Sequence, residues 1–154
     1  MDPKNIRVEQ LCERLDLDYE KISSLGNNQR IEKILNLFIE NNYNTILEME
    51  EKICDGVYVA EDEIVKAFKY LIRREYKKLY ACILGIDTVK DCLSDIELFS
   101  LLLIVFEYNL SILRCQKAKE YMELLESFEF KKNKYNLYLQ EKKFILNCII
   151  EHSE

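Results

Sequence analysis

The sequence has little of what tight turns, metal sites and nucleophilic catalysis need. Only three glycines and one proline occur among 154 residues, tryptophan is absent, and His152 is the single histidine. Scarce glycine and proline favour long helices joined by short loops over β-turns. One histidine cannot build a His-rich metal site, and it provides a base for a nucleophilic Cys or Ser at one position at most. The sequence therefore predicts no metal site, no cofactor and no catalytic residue.

Phosphate-binding loops and carboxylate-based chemistry are equally poorly represented. Gly26, Gly56 and Gly85 are isolated, so no glycine-rich phosphate loop is present. Acidic runs such as Glu61-Asp62-Glu63 fall in predicted first turns of helices, where solvated carboxylates are typical. We predict that the chain is not an enzyme.

Charge and cysteine usage restrict the partners and the compartment. The formal net charge of −6 opposes autonomous binding to phosphate backbones. Six cysteines are present without a C-x-x-C pair, and the N-terminus MDPKNIRVEQ has no apolar leader. These features predict reduced thiols and a cytoplasmic location. The longest unbroken apolar run is Leu101 to Phe106, too short to span a membrane.

Apolar residues at helical spacing predict an all-α fold without strands. A break is predicted at Gly26-Asn27-Asn28, and helix ends are predicted at Gly56 and Gly85. The predicted helices are 5–17, 28–41, 43–54, 60–74, 75–84, 93–113, 114–128 and 132–151.

The stretch 93–113, LSDIELFSLLLIVFEYNLSIL, is apolar over most of its helical circumference. A helix of this kind is buried by neighbours on several sides, so it is predicted to be the central helix. Ser94 and Glu97 have the spacing of a capping box at its start. A narrow polar strip contains Glu97, Ser100, Glu107 and Ser111.

Three segments, 43–53, 76–86 and 118–128, indicate an internal repeat. Tyr43 and Tyr76 are 33 residues apart, and the third copy begins 42 residues later. Two helices per unit and a period of about 34 residues are typical of a right-handed tetratricopeptide-like solenoid of antiparallel helix pairs. A globular helix bundle with similar loops gives the same period, so both architectures stay open.

Polar groups beside apolar surfaces are the candidate ligand contacts. Asn109 lies within the apolar arc of the central helix, and a buried amide needs hydrogen-bond partners. The candidate peptide-binding residues are Glu107, Asn109, Asn136, Gln140 and Asn147. A solvated exterior position is the alternative for each of them.

Two stretches carry a resemblance to a known family. Residues 5–53, with an L-x-x-x-Y-x-x-(F/I) segment from Leu15 to Ile22, resemble a domain junction in Rgg/PlcR-type, peptide-pheromone-responsive transcription regulators of Gram-positive bacteria. LSDIELFSLLLIVFEYN followed by KAKEYMELL is similar to the central repeat of that family. The resemblance implies that residues 1–26 correspond to the end of a DNA-binding domain plus linker, and residues 27–154 to a tetratricopeptide-like sensor domain.

The chain departs from this family because the helices that read DNA should precede residue 5. The resemblance then implies a regulatory domain that binds a short peptide or a partner protein, without contacting DNA directly. The alternative function is a small acidic inhibitor or immunity-type protein that binds a protein target. A homodimer is a further possibility, through the central helix or the terminal helix 132–151.

Overall fold

A computed structural model describes residues 19–50, 60–128 and 133–153 and contains seven α-helices in these ranges. A short 3₁₀ turn at Lys90–Cys92 precedes the fifth helix, and no strand occurs in the described ranges. The all-α prediction is therefore confirmed. The helices are α1 (Tyr19–Ile39), α2 (Tyr43–Glu48), α3 (Ala60–Arg73), α4 (Tyr76–Asp87), α5 (Asp95–Ser111), α6 (Cys115–Glu126) and α7 (Asn133–Ser153). The predicted helix 5–17 lies outside the described residues.

The chain forms two compact units with a boundary after Leu98. In the first unit, α1 packs on α2 and α3, α2 packs on α3, and α3 packs on α4. The ring of Phe38 lies 5.4 Å from that of Tyr43 and 5.1 Å from that of Phe68, joining these three helices. Fully buried aliphatic side chains surround these rings: Ile31, Ile34, Leu35, Ile46 and Ile64.

In the second unit, α6 packs on α7, and aromatic rings tie α5 to the residues that follow α6. Phe99 is 1% exposed, and its ring meets Phe128 edge-on at 5.5 Å and Tyr135 at 5.7 Å. Lys143 on α7 forms an ion pair with Glu126 of α6 at 3.1 Å.

The central helix is more completely buried than its sequence predicts. The capping box is confirmed: Ser94 N donates to Glu97 Oε1 at 3.1 Å, and Glu97 N donates to Ser94 Oγ at 3.3 Å. However, Glu97 is 2% exposed and Ser100 is fully buried. These two residues of the polar strip are thus neither solvated nor open to a ligand. The carboxylate of Glu97 caps the first turn of the helix. A polar residue at this position therefore indicates where the helix starts and not a face that is exposed to water.

Glycine does not interrupt helices at the two described positions where a break was predicted. Helix α1 runs through Gly26-Asn27-Asn28, and α4 continues past Gly85 to Asp87. A glycine inside a helix costs only about 1 kcal/mol relative to alanine, and the packing of buried apolar turns on the same helix offsets that cost. The predicted end at Gly56 lies outside the described residues.

Helix α2 ends at Glu48, whereas the sequence predicts a helix as far as Cys54. Met49 has an extended backbone, with φ −64° and ψ 135°. The ammonium of Lys69 donates to the carbonyl of Met49, and the guanidinium of Arg30 donates to that of Glu50. Because side chains of α1 and α3 donate to these two carbonyls, tertiary hydrogen bonds replace the ones that a longer helix would form here.

Three turns between consecutive helices have the same geometry. Asn41, Arg74 and Leu113 have φ values of 62°, 58° and 61°. Each turn has two backbone hydrogen bonds back to the preceding helix; Asn42 N donates to Leu37 O, Glu75 N to Tyr70 O, and Arg114 N to Asn109 O. The equivalent residues in the following helices, Ile46, Leu79 and Ala118, are all fully buried. The two units therefore contain the same helix–turn–helix element, twice in the first and once in the second.

The third copy has a different register from the one predicted. Cys115, not Ala118, is equivalent to Tyr43 and Tyr76, because each is the first helical residue after the shared turn. The spacing of the turns is 33 and then 39 residues, from Asn41 to Arg74 to Leu113. This register is hidden in the sequence because the third turn follows at 39 rather than 33 residues, and Leu113 is neither the glycine nor the asparagine that usually marks a left-handed position.

The strained turn residue leads to a stability prediction. The left-handed backbone conformation costs leucine at position 113 about 1 kcal/mol, and asparagine adopts this conformation at a lower cost. We expect Leu113→Asn to raise the free energy of unfolding by about 0.5 kcal/mol and Asn41→Leu to lower it by a similar amount. Urea denaturation measures both. Leu124→Asn is the control, since asparagine inside α6 should only destabilise. A Leu113→Asn variant that is no more stable than the wild type would contradict the prediction.

Candidate functional site

Glu107 on α5 connects that helix to α7. The hydroxyl of Tyr138 donates to Glu107 Oε1, and Lys142 Nζ lies 3.3 Å from the same oxygen. Lys142 also lies 5.5 Å from the centre of the Tyr138 ring. Because these two α7 side chains occupy the carboxylate, Glu107 fixes the position of α7 within the second unit.

Asn109 is buried, at 6% exposure, and its side chain bonds inside its own helix. Its Nδ2 donates to the carbonyl of Val105 at 2.8 Å. Its backbone carbonyl accepts the turn hydrogen bond from Arg114 N at 2.9 Å. Asn109 thus supports the end of α5 and the turn that follows.

Asn136, Gln140 and Asn147 lie in one line along α7, with Gln140 and Asn147 exposed and Asn136 half-buried. At 100° per residue they occupy an arc of about 40°. Tyr138 and Lys142, which contact Glu107, lie roughly 160–240° away around the helix from these amides. The structure therefore brings the three amides together but does not bring them to Glu107 or Asn109.

An exposed apolar surface runs beside these amides. Leu137 is 65% exposed and Phe144 is 70% exposed, on the side of the helix next to the amides, and Ile145, 37% exposed, lies between that side and the buried face. We call this surface, completed by Cys148, Ile149 and His152, the α7 stripe. Its C-terminal part lines a shallow depression of about 400 Å³.

The amides and the α7 stripe are direct neighbours. Gln140 precedes Phe144 by four residues and Asn147 follows it by three, spacings that place side chains side by side on a helix. The buried face of α7 is formed by Tyr135, Tyr138, Leu139 and Leu146. The helix therefore has three faces: one buried, one apolar and exposed, and one lined with amides.

The predicted site contains the amides of α7 but not the apolar residues next to them. Three apolar residues at helical spacing along this helix, Tyr135, Leu139 and Leu146, are buried. The missed signal was that α7 carries more apolar residues than one face can hold. Phe144 and Ile145 are adjacent in sequence, so on a helix they extend the apolar arc beyond one side.

Metal and membrane sites are absent from the parts of the chain that the structure describes. Within these ranges no three His, Cys, Asp or Glu side chains cluster so that they could hold an ion. No helix in the same ranges is long and apolar enough to cross a bilayer. Cys82, Cys92, Cys115 and Cys148 are thiols and not half-cystines.

Two of the three acids at the start of α3 are buried rather than solvated, contrary to the sequence-based expectation, and the third, Glu63, is half-buried. Glu61 and Asp62 are each 5% exposed and both bond to Arg30 of α1. The ion pair explains how charged groups occupy this position, because a buried carboxylate needs a cationic partner.

Comparison of the chain with protein-family models, curated proteins and solved structures gives no significant match.

Proposed function

We propose that this chain is a non-catalytic, tetratricopeptide-like regulatory domain that binds a short peptide or a segment of a partner protein. The observation that carries the proposal is the α7 stripe bordered by Asn136, Gln140 and Asn147. Apolar side chains of a ligand would rest on Phe144 and Ile145. The amides would bond to the backbone of the ligand, which exposes one donor and one acceptor at most residues.

The repeated helix–turn–helix element supports the solenoid part of the proposal. Tetratricopeptide-like domains are built from such pairs, and their exposed helical faces are ligand-binding surfaces. The resemblance to pheromone-responsive regulators would make the ligand a signalling peptide and the protein cytoplasmic. Glu107 would act indirectly, by holding α7 through Tyr138 and Lys142.

Selection from a library of random short peptides displayed on phage tests this function. Peptides enriched on the wild-type chain are then titrated against Phe144→Ser, which should lower affinity at least tenfold, because exposed aromatic anchors dominate such interfaces. Gln140→Ala should lower affinity several-fold, since one hydrogen bond contributes about 0.5–1.5 kcal/mol. Isothermal calorimetry measures both.

Leu113→Ser is the matched control, because Leu113 is 67% exposed and lies on the α5–α6 turn rather than on α7. It should leave the affinity unchanged. Circular dichroism checks that each variant remains helical. Failure to enrich any peptide, or equal affinity of the enriched peptides for Phe144→Ser, would contradict the proposal.

A further inference from the structure

The outer face of α4, in the first unit, carries a second exposed apolar surface. Tyr80 is 53% exposed and Leu84 is 50% exposed, one helical turn apart. They point away from the buried face of the same helix, which is formed by Leu79, Cys82 and Ile86. Neither side chain belongs to the buried core of the residues that the structure describes.

Exposed cations lie at the start of this face, although the chain as a whole is acidic. Arg73 is the last residue of α3, and Arg74 lies in the turn that follows it. Lys77 and Lys78 lie in the first turn of α4. All four side chains are exposed. The acid between them, Glu75, pairs with Lys78 at 3.0 Å. A short stretch thus has a local charge of +3, in a chain whose net charge is −6.

Among the described residues, none crowds the position of Gly85. It lies inside α4, where glycine is unfavourable, and a Cβ built there would meet nothing within 4 Å. Neither crowding nor a left-handed backbone therefore requires glycine at this position. Exposed Ala81 lies one turn away, so the surface beside Tyr80 and Leu84 is low and open.

We propose that the outer face of α4 docks an acidic amphipathic helix of a partner protein. The apolar stripe of that helix packs on Tyr80 and Leu84, and its carboxylates approach Arg73, Arg74 and Lys77. Gly85 and Ala81 allow the two helix backbones to come close. A nucleic acid would satisfy the cations but has no row of apolar side chains for the exposed Tyr80–Leu84 stripe. This surface shares no residue with the α7 stripe, and the proposal does not depend on the function proposed for that stripe.

Fluorescence anisotropy with designed probes tests the docking. The first probe is a labelled helical peptide with leucines on one face and glutamates elsewhere; the second has lysine in place of every glutamate. Polyglutamate and a single-stranded DNA oligonucleotide are the other two probes. We expect the first probe to bind at least tenfold more tightly than each of the others, with an affinity that falls as salt is added.

Variants locate the binding surface. Leu84→Gln and Lys77→Gln should each lower the affinity for the acidic helix at least fivefold, while Lys117→Gln on α6 and Phe144→Ser on α7 should not change it. Gly85→Ala is the sharpest test, because it should raise the melting temperature by about 2 °C while weakening the binding.

Three results would overturn the proposal. Equal binding of polyglutamate or of the oligonucleotide would reduce the surface to a general anion site. Equal binding of the lysine peptide would mean that charge is irrelevant. Self-association of the chain that Leu84→Gln abolishes, measured by light scattering, would assign the surface to a second copy instead.

Discussion

Replacing Arg30 by methionine is expected to lower the free energy of unfolding by about 3 kcal/mol. The guanidinium of Arg30 is the cation that contacts both Glu61, at 3.3 Å, and Asp62. Both carboxylates are 5% exposed, so the variant leaves two buried charges without this partner. Breaking a buried ion pair usually costs about 3–5 kcal/mol, and the partial exposure of Arg30 favours the lower value.

The pKa of Arg30 reflects the same balance of forces. Burial alone would lower it, but the hydrogen bonds and charges of Asp62 and Glu61 outweigh burial and raise the pKa of Arg30 above its usual value. Arg30 also donates to the Glu50 carbonyl, so methionine additionally removes this hydrogen bond just beyond the end of α2.

Chemical denaturation of three variants tests this prediction. Arg30→Lys keeps the charge but loses the forked geometry, and should be intermediate in stability. Lys117→Met removes an exposed cation that lies 3.6 Å from Glu120, and should cause no measurable change. A loss below about 1 kcal/mol for Arg30→Met would mean that the two carboxylates are satisfied without it.

Local patterns in the sequence predict helices and caps well. The Ser94–Glu97 capping box and the span 60–74 required only residues near one another in the chain, and the structure has both nearly as predicted. Patterns that depend on distant partners were not visible. Arg30 and Asp62 are 32 residues apart, and no local rule links an arginine on one helix to a carboxylate on the next but one.

The candidate site was only partly predictable for a related reason. Amides on α7 are visible from their types and spacing, but exposure depends on which neighbours cover a helix. Phe144 and Leu146 are both large and apolar, yet the first is 70% exposed and the second 1% exposed. The packing of α6 against α7 and the contacts of Tyr138 with Glu107 decide which face is buried.

Replacing Phe99 by alanine is expected to lower the free energy of unfolding by about 3–4 kcal/mol. It should also impair the proposed ligand site, although Phe99 is not part of that site. Phe99 is 1% exposed, and its ring contacts Phe128 and Tyr135. Tyr135 lies in the first turn of α7, so Phe99 holds the start of the helix that carries the stripe. Truncation to alanine leaves a cavity and removes both ring contacts.

Hydrogen exchange and peptide binding separate the two consequences. In Phe99→Ala the amides of α7 should exchange faster, because the local opening of that helix requires less free energy. Leu102→Ala on the same α5 helix is the control. Leu102 is half-buried, so this substitution should lower the free energy of unfolding by only about 1 kcal/mol. The milder Phe99→Leu keeps the chain folded for titration with the peptides enriched by selection.

The peptides should bind Phe99→Leu several-fold more weakly than the wild type, although every residue of the α7 stripe is unchanged. A ligand that binds only when α7 is packed against the rest of its unit must use part of its binding free energy to order this helix in the variant. Unchanged affinity together with faster exchange in α7 would mean that the ligand does not require the position of this helix. In that case the anchoring role assigned to Phe99 and Glu107 would concern stability alone.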